Sequence, residues 1–209
     1  MASRVAVFID GAYLDKIAER EFGMFIDFEK LNQQILQSMS SSVSDVELVR
    51  TYYYHCLPYQ SNPPTTSEAE RFGRKQRFFE SLTHIRRFVV RTGRLAFRGI
   101  ASNGEPIFQQ KRTDLMLGLD LALLSGKGQL NHIVCVAGDS DLLPAFEVAK
   151  EEGLVVWLMH GPRHSRADGT CTYAQELWQS ADERIEIDLA FMQSVQKMRI
   201  LNSRPNGNH

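Results

Sequence analysis

Short apolar runs rich in β-branched and aromatic residues recur at 5–9, 46–54, 132–137 and 154–159, and each reads as a buried strand. Between and around them, apolar positions fall at helical spacing over 28–37, 68–82, 114–124 and 142–151. Near-continuous apolar strands alternating with helices predict an α/β fold, a parallel sheet covered on both faces. Two more strand-like stretches, 88–96 and 106–109, flank Ser102-Asn103-Gly104 and predict a hairpin that extends the sheet. Gly161-Pro162 opens a polar loop to about residue 170, and 38–44 reads as a short solvated loop. The pattern divides into one domain over 1–187 and a C-terminal helix with a disordered tail over 188–209.

Composition adds exclusions. The 209 residues are 43% hydrophobic and 23% charged, which suits one soluble globular domain and excludes a disordered chain. No apolar run approaches the roughly 20 residues that span a bilayer, so no membrane partner is expected. The opening M-A-S-R-V-A-V-F-I-D reaches an acid after five apolar residues and reads as a strand rather than a signal peptide. Cys56, Cys135 and Cys171 form no C-x-x-C pair, which supports neither a zinc ribbon nor a disulfide framework, and points to a reducing cytoplasm. Cys135, inside I-V-C-V-A, is expected in the core.

The candidate chemistry is acidic. The first strand runs into F-I-D-G-A-Y, placing Asp10 at its C-terminal end, and I-V-C-V-A runs into G-D-S-D, placing Asp139 and Asp141 alike. In open α/β sheets this edge binds ligands. The helix that begins K-R-T-D-L-M-L crosses antiparallel to the strands, so its N-terminal Asp114 returns to the same edge. Each acid also stands near a helix start, where Asp is a favoured N-cap, and capping explains any one of them. Capping does not require the acids to be neighbours, however, and clustered carboxylates repel. A hard divalent cation, Mg²⁺ or Mn²⁺, resolves that repulsion and can activate water against a phosphodiester. There is no Walker-type or dinucleotide-binding glycine loop.

V-A-V-F-I-D-G-A-Y-L, K-R-T-D-L-M-L-G-L-D and V-C-V-A-G-D-S-D-L-L-P-A-F-E-V-A-K-E-E-G resemble the three signature blocks of NYN domains, PIN-like ribonuclease domains, with the LabA-like branch nearest. The resemblance implies a PIN-like three-layer α/β/α sandwich with central strand order 3-2-1-4-5 and metal-dependent cleavage of RNA. It maps Asp10, Asp114 and Asp139 as the core acids that hold Mg²⁺ or Mn²⁺, with Asp141 beside them as an outer ligand or water-orienting base. Many members carry Asn three residues after the first Asp, where this chain has Tyr13. Asp120 matches an acid of the second block, but lies roughly 9 Å along the helix and about 240° round it from Asp114, which favours a structural hydrogen bond over ligation.

Charge is unevenly distributed despite a net value of −1. Residues 71–98 hold nine basic residues against the single acid Glu80. Arg71, Arg74, Lys75 and Arg77 form a broad basic face on the predicted helix, which with Lys111 and Arg112 is a candidate RNA contact. The alternative is a solvated face paired with acids elsewhere. Gly11, Gly138 and Ser140 are candidate phosphate contacts. Tyr52, Tyr53 and Tyr54 fit alternating burial in a strand better than base stacking. His160, His164 and Cys171 suggest zinc, yet a mobile surface loop explains them more simply.

The reading is a Mg²⁺- or Mn²⁺-dependent ribonuclease whose partner is RNA, single-stranded or structured, with a homo-oligomer left open. One alternative is a non-catalytic RNA-binding or regulatory module, which Tyr13 favours. Another is a haloacid-dehalogenase-like phosphatase, whose chemistry requires a second Asp two residues after the first, where this chain has Ala12.

Overall fold

The computed structural model describes the backbone of residues 2–100 and 106–197, with the side chains of all but 94, 96, 97, 100 and 106–111. The 102–104 turn, the Lys111 side chain and the 202–209 tail therefore lie outside the described residues. Strand β1 (Ser3–Asp10) leads through α1 (Gly11–Lys16), extended by a π-helical turn over Ile17–Glu21, to α2 (Phe28–Met39) and β2 (Val46–Cys56). Helix α3 (Thr66–Thr83) connects β2 to β3 (Phe88–Ile100), which pairs antiparallel with β4 (Pro106–Lys111). There follow α4 (Thr113–Ser125), β5 (His132–Val136), α5 (Leu143–Glu151), β6 (Val155–His160), α6 (Gln175–Ser180), β7 (Glu183–Glu186) and α7 (Leu189–Ser194).

The sheet order is β4-β3-β2-β1-β5-β6-β7, with every pairing parallel except β3 with β4. With the hairpin strand β4 set aside, the central five strands keep the implied 3-2-1-4-5 order. The sheet is wider than that by one strand at each edge. The hairpin strand was expected; β7 was not, because Glu183-Arg184-Ile185-Glu186 has no apolar run to announce it.

Alternation along β1 divides the core. Val5, Val7 and Ile9 join a cluster with residues of α1, α2, α3 and α7, while Ala6 and Phe8 join one with α4, α5 and α6. By the same period of two, Asp10 belongs to the α4 side. Three layers result, as the strand–helix alternation predicts. Tyr53 and Tyr54 are both fully buried, on opposite faces, and half-buried Tyr52 packs against the core, its ring centroid 5.3 Å from that of Phe8. Cys135 is likewise fully buried.

Helix α4 departs from expectation. Leu117 and Leu121 are buried, but Leu115, Leu119 and Leu123 form a solvent-facing stripe at 52–65% exposure. Asp120 therefore stands at the margin of the core. The segment after β6 is also different from the expected mobile loop. Buried Glu21 accepts hydrogen bonds from the Ser165 hydroxyl (2.6 Å) and the Arg166 N–H (2.7 Å), pinning the segment to the π-helical turn. No described helix is long and apolar enough to cross a membrane.

Candidate functional site

Strand order reverses at β1, whose neighbours β2 and β5 connect away in opposite directions, and the crevice beyond the ends of β1 and β5 gathers the acids. Ile9 pairs with Val136, so Asp10 and the Gly138-Asp139 turn leave the sheet side by side. Helix α4 runs back to this edge and delivers Asp114 in its first turn.

Capping and clustering coexist. Asp10 Oδ1 accepts the N–H groups of Ala12 (3.0 Å) and Tyr13 (3.2 Å), capping α1. Asp139 Oδ1 accepts the Asp141 N–H (3.0 Å), capping the single 3₁₀ turn over Ser140–Leu142. In both residues the cap occupies one carboxylate oxygen, and no hydrogen bond to Oδ2 occurs among the described contacts. Asp114 is not a cap; that place belongs to Arg112, which adopts a left-handed φ of 78°.

The electrostatics tie the acids together. Burial, reinforced by the charge of Asp114, pushes the Asp10 carboxyl up to about 6, although the two capping N–H groups and His55 oppose the shift. Asp114 is raised by burial and then by the charges of Asp139 and Asp141. Asp10, Tyr13, Gly138, Asp139 and Ser140 line a concavity of about 400 Å³. Ser140 also borders a separate groove lined by Asp114 and Asp141, so the acids divide two and two between neighbouring concavities.

Hard carboxylate oxygens of this kind suit Mg²⁺ or Mn²⁺. Among the described residues, however, no group of three His, Cys, Asp or Glu side chains is placed to hold a metal ion. The donor chemistry suits such an ion, and the Asp114, Asp139 and Asp141 side chains are exposed at this edge.

The two candidate glycines have packing reasons. A Cβ on Gly11 would lie 2.4 Å from the Tyr53 ring, and one on Gly138 would lie 2.5 Å from the Tyr13 ring and 2.6 Å from the Thr172 carbonyl oxygen. Their missing side chains thus admit aromatic rings. Asp120 accepts a hydrogen bond from the Tyr54 hydroxyl (2.9 Å) and pairs with Arg91 (3.3 Å), the structural role its position favoured.

Of the basic face, Arg71, Arg74 and Lys75 line one cleft. Arg77 is exposed on another side of α3, and Arg112 is exposed at the edge beside Asp114. Lys75 is already engaged, donating to Asp15 Oδ2 at 2.9 Å. The same oxygen meets His55 Nε2 at 3.0 Å. Burial pushes the Asp15 carboxyl up, but His55 and Lys75 more than offset it and hold the acid below the usual range.

His55 and Lys16 were missed in the sequence. Asp10 pairs with Tyr54, so His55 sits one step beyond, at the same sheet edge. Its signal was the histidine ending Y-Y-Y-H, masked by the tyrosines before it. Lys16 lines the Asp10–Asp139 concavity from α1.

The zinc reading fails on geometry. Buried His160 uses Nδ1 toward the Gly161 carbonyl oxygen (2.8 Å) and accepts the Trp178 indole N–H at Nε2 (3.2 Å), while His164 and Cys171 pair only as a backbone bridge.

The family model described as NYN domain matches residues 4–188. No curated protein matches the chain.

Proposed function

The chain belongs to the NYN domain family, and from that premise we propose that it is a ribonuclease that hydrolyses RNA phosphodiester bonds with a divalent cation, Mg²⁺ or Mn²⁺. The carrying observation is the coupled acid edge: Asp10 raised to about 6 partly by Asp114, and Asp114 raised partly by Asp139 and Asp141. Caps alone give no reason for carboxylates from three separate elements to share one crevice.

Asp10, Asp114 and Asp139 would hold the ion. When bound, the ion lowers the pKa of its water and offsets negative charge developing at phosphorus. Asp141 orients the attacking water or accepts its proton. Ser140, Lys16 and Arg112 contact phosphate oxygens, and the cap bonds to Oδ1 hold Asp10 and Asp139 in orientation. Arg71 and Arg74 supply backbone anchorage beyond the crevice.

The test is cleavage of a labelled single-stranded RNA with Mn²⁺ or EDTA. Wild type should cut only with the ion, and Asp139→Asn, which keeps shape and cap but lowers the charge, should lose activity while retaining its thermal melt. Full activity in the variant would falsify the assignment. A second reading, RNA binding without cleavage, has its own support in the open spacing of the acids and in Tyr13. Unchanged RNA with undiminished binding would establish it.

A further inference from the structure

A second concavity, of about 990 Å³, opens beside the acid edge between the end of α1 and α3. Its composition is mixed in a specific way. Met24, Phe25, Ile26, Phe28 and Phe78 form apolar walls, and the cations Arg71, Arg74, Lys75 and Lys197 stand around them. On α3, the positions 71, 74, 75 and 78 follow the i, i+3, i+4, i+7 spacing of one helix face, so the arginines and Phe78 address the same space.

Two acids also line it, Asp15 and Glu19. Asp15 is matched within the protein by Lys75 and His55, which leaves Arg71, Arg74 and Lys197 against Glu19 alone. None of these three cations takes part in a described ion pair. Phe25 is 52% exposed, a large aromatic side chain open to solvent at this cleft.

Aromatic surface for a planar ring, with arginines beside it for an anion, is the chemistry of an unstacked nucleotide. The space is also at the upper end of ordinary small-ligand pockets, which run to roughly 1,000 Å³. Asp15 follows Asp10 by five residues, about 7.5 Å along the helix and about 140° round it, a separation that one or two nucleotides of an RNA strand span. An RNA strand with its scissile phosphate at Asp10 therefore reaches the cleft with a nearby nucleotide.

Resting on the ribonuclease reading for its ligand class, we infer that this cleft accepts one unpaired base of the RNA strand, stacked on the exposed Phe25, with an adjoining phosphate held by Arg71 and Arg74; Phe78, whose ring already carries the Lys75 ammonium 5.1 Å from its centroid, forms part of the wall. A base inside a duplex cannot enter, so the cleft selects single-stranded RNA.

The test uses the full chain in EDTA and a fluorescein-labelled, mixed-sequence RNA strand, read by fluorescence anisotropy. Phe25→Ala should weaken binding by roughly tenfold or more, the scale of one lost base stack, without changing the salt slope. Phe25→Trp should restore it. Arg71→Ala with Arg74→Ala should flatten the slope of log K against log salt by about 1.4, two single-strand phosphate contacts. Photocrosslinking with 4-thiouridine RNA should mark the peptide containing Phe25.

Wild type that binds RNA while Phe25→Ala binds equally well overturns the cleft and leaves the ribonuclease reading standing. Equal affinity for the strand and its duplex does the same. Wild type that binds no RNA overturns both. An acidic aromatic peptide that binds in a Phe25-dependent way, where RNA does not, assigns the cleft to a protein partner and overturns the inference.

Discussion

The Tyr13 hydroxyl accepts the backbone N–H of Gly161 at 2.9 Å, joining the first turn of α1 to the end of β6 across 148 positions of sequence. Its ring closes over Gly138, immediately before Asp139. Burial pushes the hydroxyl up to about 12, so it remains protonated throughout the neutral range. Tyr13 thus braces the Asp10 and Asp139 turns while lining the concavity between them.

Tyr13→Phe leaves a buried N–H without its acceptor and should destabilise by about 1–3 kcal/mol. Tyr13→Asn, which also removes the ring from the space over Gly138, should cost about 3–5 kcal/mol, as large aromatic truncations do. Urea melts measure both. A stable Tyr13→Asn protein would show that the ring is dispensable to the fold.

Asp10 gives a pH signature. Its carboxyl titrates near 6 in the fold against 3.8 when unperturbed, so the folded chain holds its proton more tightly than the unfolded one. Stability from this group is complete below about pH 4, falls as pH rises toward 6, and is level above it. Asp10→Asn keeps a cap but carries no charge. It should melt higher than wild type at pH 7.5 in EDTA, by up to about 3 kcal/mol, with the gain vanishing near pH 4. An equal gain at both pH values would place the effect in packing rather than in titration.

Asp120 separates structure from ligation. Asp120→Ala strands the buried Tyr54 hydroxyl and should cost about 1–3 kcal/mol, whereas Asp120→Asn retains an acceptor and should cost less. Neither should alter the melting response to Mn²⁺. Loss of that response in Asp120→Asn would make it a metal ligand.

The sequence made the acid edge legible because strands, crossover direction and helix starts all leave local patterns. Asp10, Asp114 and Asp139 follow from those patterns without any long-range contact. The Tyr13–Gly161 bond does not, since nothing local pairs residues so distant. Lys75 shows the same limit: its helical position predicts a basic face, but only the fold brings Asp15 and His55 to it. Strand β7 escaped because a short charged edge strand is defined by its partner β6, and the ordered segment after β6 because one buried acid, Glu21, holds it from a distant turn. The leucines of α4 show the converse limit, since apolar identity does not say which face finds a neighbour.

Asp114 decides between a metal site and a set of helix ends. In the first turn of α4 its charge is favoured by the helix dipole, worth about 0.3–1 kcal/mol. Against that stand burial and the charges of Asp139 and Asp141, which raise its carboxyl, and its own contribution to raising Asp10. If repulsion wins, Asp114→Asn should be at least as stable as wild type in EDTA, and the Asp10 carboxyl, followed by NMR, should titrate lower. Millimolar Mn²⁺ should raise the wild-type melting temperature, because the ion binds only where the fold gathers the acids. The variant should lose most of that rise. The capping account requires the opposite set: no response to Mn²⁺ in either protein, and a variant weakened by the lost dipole interaction. Those melts would remove the chemical basis of a metal-dependent nuclease, because the acids would then serve only the helices they begin.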